Sequence, residues 1–129
     1  MNSEFLSFEV RFFEKLIEKD PMFIDALIPL AHAYTQTGEY KKGLKIDKRL
    51  ARLKPTDEVI LYNLACSYAL LNMTDEACMA LSKSVDRGYS DLAHIQHDTD
   101  LDSLRHDGRF GKIIERINEA HTVLSIKKY

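Results

Sequence analysis

Three aspartates at alternate positions, Asp98, Asp100 and Asp102, and three histidines around them, His94, His97 and His106, are the residues of this 129-residue sequence whose spacing could do chemistry. Alternating carboxylates are how a calcium loop begins, because a hard dication needs closely spaced oxygen ligands, then a glycine at the sixth place and a glutamate at the twelfth. Ser103 and Arg109 hold those two places. The aspartates therefore read as helix caps and as arginine partners, Asp102 and Asp107 with Arg105 and Arg109. The imidazoles could ligate zinc or iron if the chain folded back over the aspartates, giving a metal-dependent activity at His94, His97 and His106. The spacings of structural zinc sites are absent, however, and Cys66 and Cys78 lie far from these histidines. His32 and His121 are isolated. For nucleophilic or phosphate chemistry there is no Gly-x-Ser-x-Gly elbow, no glycine-rich loop beyond the short run from Asp107 to Lys112, and no Cys–His pair with an orienting partner. The expectation is a protein that is not an enzyme and has no metal or cofactor.

The elements that would position these residues come from the rest of the chain. With 45% apolar and 29% charged residues and a net charge of −2, the composition is that of one soluble domain with no footprint for nucleic acid. The longest apolar-rich run, Val59 to Leu71, is 13 residues and is broken by Asn63 and Ser67, too short for a membrane span. The first fifteen residues mix acids with apolar residues and lack a basic leader, so a cytoplasmic address is expected, with both thiols reduced.

Adding 34 to Leu27, Leu30, Ala31 and Tyr34 lands on Leu61, Leu64, Ala65 and Tyr68, and subtracting 34 from Pro55 lands on Pro21. A period of this length marks stacked helix pairs. Leu30, Ala31, Tyr34, Gly38, Tyr40, Gly43 and Pro55 resemble the unit of the tetratricopeptide repeat family; Leu64, Ala65, Tyr68 and Ala77 fit a second unit, with Asn72 for the turn glycine, Thr74 for the aromatic and Tyr89 for the closing proline. From Gly88 onward, Tyr89, Asp98, Asp100, Leu101, Asp102, Leu104, Arg105, Asp107, Arg109 and Phe110 resemble the closing module found after the last repeat in many bacterial members, with Gly108 in place of a proline. The resemblance implies an all-α fold: a right-handed antiparallel superhelix with C-terminal capping helices. Its parts would be an opening helix over 3–21, repeats over 24–57 and 58–89, and a closing module over 90–129, in one domain spanning 1–129.

Within that frame the opening helix, 3–19, aligns Phe5 or Leu6 with Val10, Phe13, Leu16 and Ile17 in one apolar stripe. The next helix runs from about Met22 to Gln36 with Pro29 inside it, which predicts a kink near Asp25 to Pro29 or a later start. The third packs Tyr40, Leu44, Leu50 and Leu53 inward and carries a basic outer ridge from Lys41 to Lys54. Asp47 occupies a place where the family buries a large apolar residue, so a lysine or arginine partner, or a local departure in packing, is expected. Asp57 or Thr56 caps the fourth helix and Thr74 the fifth. The last helix turns Phe110, Ile113, Ile114, Ile117 and Leu124 to one face and ends on Lys127 and Lys128.

The resemblance also implies a binding function, since partners of such proteins lie in the concave face lined by the first helix of each pair. There the helical period puts Ile28, His32 and Gln36, then Val59, Tyr62, Asn63, Cys66 and Leu70. The family's clamp for a terminal carboxylate is missing, because Asn63 alone matches it. The expected function is a non-enzymatic adaptor, taking a peptide or helix of another protein in this groove. Two alternatives are that the chain's own opening or closing helix fills the groove, and that the basic ridge meets the acidic run from Asp86 to Asp107 of another copy in a homo-oligomer.

Overall fold

The computed structural model of the chain describes residues 3–127, with side chains over 4–126, so Lys128 and the side chain of Lys127, the basic end, lie outside what is described. Over the described residues, seven α-helices and one 3₁₀ helix follow in order: α1 (Ser3–Lys19), α2 (Ile24–Gln36), α3 (Tyr40–Leu53), α4 (Glu58–Leu70), α5 (Thr74–Asp86), α6 (Leu92–His97), the 3₁₀ helix Thr99–Leu104, and α7 (Gly108–Lys127). Each of the first four packs on the next; the 3₁₀ helix then packs on α4 and α5, and α7 on α5 and α6. This is an all-α solenoid of consecutive helix pairs with its last pair covered by a closing segment.

The turns carry the period. Gly38 and Asn72, 34 residues apart, both take the left-handed conformation, at φ +79° and +58°, each just past a helix end. Glycine does this freely and asparagine at modest cost, which is why these two types stand at equivalent hairpin turns. Asp57 caps α4 by accepting from the Val59 and Ile60 amides at 2.9 and 3.0 Å. At Gly43, where α3 meets α2, a Cβ would lie in ordinary contact, 3.4 Å from Thr35 Oγ1 and 3.6 Å from the Ala31 carbonyl.

Two apolar clusters form the core. The first joins α1, α2 and α3 through Val10, Phe13, Ile17, Leu27, Leu30, Tyr34, Ile46 and Leu50; the second joins α4, α5 and the closing segment through Ala65, Ala77, Leu81, Ile95, Leu101, Leu104, Phe110, Ile113 and Ile117. Helix α4 is apolar on all sides because it is flanked by α3, α5 and the 3₁₀ helix. The closing segment is braced by Arg105, which pairs with Asp102 at 3.0 Å and donates to the Ile95 and Asp98 carbonyls at 3.3 and 2.7 Å. Arg109 bridges Asp107 and, across to α5, Asp75, each at 2.9 Å.

Several local expectations are resolved, some of them by correction. Helix α2 begins at Ile24, the later start that is one of the two outcomes expected from Pro29, and continues through Pro29. Leu6 rather than Phe5 is the buried residue at the start of α1, and Ile46 joins Leu50 in the core of α3 while Tyr40, Leu44 and Leu53 are half-buried. Thr74 is the first residue of α5 and makes no cap. Leu124 is exposed, because the last turns of α7 run beyond the elements it packs on. Asp47 is buried as expected, but its partner is the Ser67 hydroxyl, not a cation. Cys66 and Cys78 are both free and buried.

Candidate functional site

One cavity of about 730 Å³ runs along the concave side. Helix α2 contributes Ile28, His32 and Gln36 to it, and α4 contributes Val59, Tyr62, Asn63, Cys66 and Leu70, so the eight residues singled out from the sequence share one groove. Asp47 and Leu50 of α3 form its base between α2 and α4, and His94, Asp98 and Asp100 of the closing segment form one end. No described residue of α1 or α7 lines it. Its rim is apolar and open at Ile28 and Val59, which are 43% and 50% exposed. Tyr62 differs from its sequence reading: its ring is buried, stacked face to face on Tyr89 with centroids 4.3 Å apart, and tilted against His94 at 5.4 Å. It forms a wall of the groove rather than a side chain free to meet a ligand.

Asp98 is the polar centre of that end. Its Oδ1 accepts from the Asp100 amide at 3.0 Å, starting the 3₁₀ helix. Its Oδ2 accepts from the Tyr62 hydroxyl at 2.6 Å and from the Cys66 thiol at 3.7 Å, and faces His94 Nε2 at 3.3 Å. Burial first, and then the Asp98 carboxylate, pushes the Tyr62 hydroxyl up; burial, then Asp98, does the same to the Cys66 thiol. Both are neutral donors in this site, and the thiol is no nucleophile. Asp100 is also raised, by burial first and by Asp98 second.

Asp47 marks the base. It is 5% exposed, and burial raises its carboxyl from 3.8 to about 6 against the opposing effect of the Ser67 hydroxyl. Among the described residues no lysine or arginine pairs with it.

The three histidines do not converge. His94 faces Asp98, and His97 Nδ1 lies 2.8 Å from the Ala93 carbonyl. The group of potential metal ligands among the described residues is instead Cys66, Asp98 and Asp100, whose ligand atoms lie within 4.8 Å of one another. Two oxygens and a thiol held as a hydrogen-bond donor make a weak set, since zinc takes thiolate and usually a fourth ligand. No described helix is long and apolar enough to cross a membrane. Asp98 was legible only as a cap; its second role needs Tyr62 and Cys66 from a helix more than thirty residues earlier.

The fold and groove define an all-α helical-repeat protein with one long cavity between its first two helix pairs and closing segment. No family model matches the chain. It is similar to a chloroplastic protein of Arabidopsis thaliana, 31% identical over 90 residues, which is 67% of this chain and 27% of that protein. It is also similar to the peroxisomal targeting signal receptors of Komagataella phaffii (strain GS115) and Komagataella pastoris, each 28% identical over 81 residues, 63% of this chain and 14% of theirs. The chain thus spans about a quarter or less of the length of the relatives it matches.

Proposed function

We propose that the chain is a non-enzymatic adaptor of tetratricopeptide type, one domain over 1–129 with repeats at 24–57 and 58–89, which holds a segment of another protein in its concave groove. The observation that carries this is the cavity joining the outer faces of α2 and α4 without help from the described residues of α1 or α7. Its volume, about 730 Å³, suits a few side chains of a docked helix or strand. Stacked helices hold the two walls in register, so a partner loses ordering entropy mainly on its own side. A relative named as a receptor for a targeting signal agrees with a polypeptide partner. The test pairs Ile28→Ala with Val59→Ala, both on the open rim: capture of the native partner should be lost with melting unchanged. Undiminished capture by this double variant would refute the groove as the binding face.

Self-assembly is a second reading, favoured by the outer face of α1. Phe5, Phe8 and Phe12 are at least half exposed there, and the Phe8 and Phe12 rings stack at 6.4 Å. A second copy could cover this ridge with its own in a two-fold arrangement. Light scattering at high micromolar concentration decides it: a monomer whose state Phe8→Ser leaves unchanged would sink this reading.

A further inference from the structure

The groove carries a charge pattern that specifies its occupant. Asp47, Asp57, Asp98 and Asp100 line the cavity, and among the described residues no lysine or arginine does, although the chain has 18 of them. The cations of α3 lie on its outer side, while Asp47 of the same helix turns inward.

These four acids are not equally satisfied. Asp57 accepts from two backbone amides, and Asp98 from a tyrosine, a thiol and an amide. Asp100 accepts no hydrogen bond through its carboxylate among the described residues; it feels His32 and His94 only at a distance. Asp47 accepts from Ser67 through Oδ2, and its other oxygen has no partner among the described residues; no fully enclosed side-chain oxygen there lacks one, so this oxygen opens onto the cavity whose wall the buried residue forms. A carboxylate so placed is costly without a cation, and a cation arriving through the cavity would relieve that cost. The acids also sit close together along the chain's geometry. Asp47 bonds Ser67 and Asp98 bonds Cys66, so the two flank a single turn of α4.

We infer that the occupant of the groove is a basic amphipathic protein segment, which sends a lysine or arginine to Asp47 and Asp100 and lays apolar side chains over Ile28 and Val59. This rests on the groove being the binding face. Nucleic acid is the wrong sign for such a lining. A charge-assisted bond to a desolvated carboxylate is worth more than one on the rim, so recognition falls mainly to Asp47.

The test selects displayed random short peptides on the immobilised protein and measures synthetic copies of the best clones. Clones should be rich in lysine and arginine, bind more weakly as salt rises, and lose at least about tenfold in affinity against Asp47→Asn, with a smaller loss against Asp100→Asn. Asp47→Asn keeps the size and the Ser67 contact, so its folding is secure and its effect reads charge. Neutral or acidic clones that Ile28→Ala with Val59→Ala displaces would overturn the basic occupant and leave the groove reading standing. Clones indifferent to that double variant, or no clones, would overturn both. Self-association of the protein that the selected peptides dissolve, and that Ile28→Ala with Val59→Ala abolishes, would make a second copy the occupant and overturn the proposal.

Discussion

Replacing Asp47 by asparagine should stabilise this protein at neutral pH and do little at pH 4. Burial raises the Asp47 carboxyl from 3.8 to about 6. The folded state therefore holds the proton more tightly than the unfolded chain does. Below the unfolded value both states are protonated and no penalty exists; between the two values stability falls as pH rises; above about 6 the penalty is complete. At about 1.4 kcal/mol per pH unit, the gap amounts to about 3 kcal/mol. The value of about 6 already includes the opposing effect of the Ser67 bond, so an uncharged asparagine should recover the whole of it, about 3 kcal/mol. For a domain of this size that is about 9 to 15 °C in Tm at pH 7.5. The assay is thermal unfolding of both proteins at pH 4 and pH 7.5. A variant no more stable than the parent at pH 7.5, or one whose gain is the same at pH 4, would refute the reasoning.

Other substitutions test the frame around the groove. Tyr62→Phe removes the 2.6 Å bond to Asp98 and should cost about 2 kcal/mol, with faster amide hydrogen exchange over Leu92–Leu104; unchanged exchange there would mean Tyr62 does not tie the closing segment down. Gly38→Ala, at φ +79°, should cost about 1 kcal/mol, whereas Asn72→Gly at φ +58° should be close to neutral, and chemical denaturation distinguishes them. Burial pushes both thiols up, so Cys66 and Cys78 should resist a thiol reagent at pH 8 until the protein is unfolded; rapid native labelling of either would contradict their placement.

What could be read from the sequence follows from which interactions are local or periodic. The helix pairs, their turns at Gly38 and Asn72, and the pairing of Arg105 and Arg109 with nearby aspartates all leave marks at fixed short spacings, and the structure has them. The faces of α2 and α4 are likewise periodic, which is why eight residues chosen by helical period share one cavity. Tyr62 shows the limit. A helical wheel turns it outward, and only Tyr89, His94 and Asp98 of a later segment bury it. Asp47 was visible as an anomaly, but its partner Ser67 lies on another helix, and no spacing rule links the two. Leu124 fits the stripe of α7 and is nonetheless exposed, because a stripe says which way a residue faces and not whether anything faces it.

The central claim is that the groove between α2 and α4 receives a partner segment. Backbone amide shifts of the isotope-labelled protein, followed as a captured partner segment is added, test it most directly. The account predicts perturbations concentrated in Ile24–Gln36 and Glu58–Leu70, with Asp47, Asp98 and Asp100 among those that move. Perturbations confined to Phe5, Phe8 and Phe12 on α1, or to the outer end of α7, would contradict it.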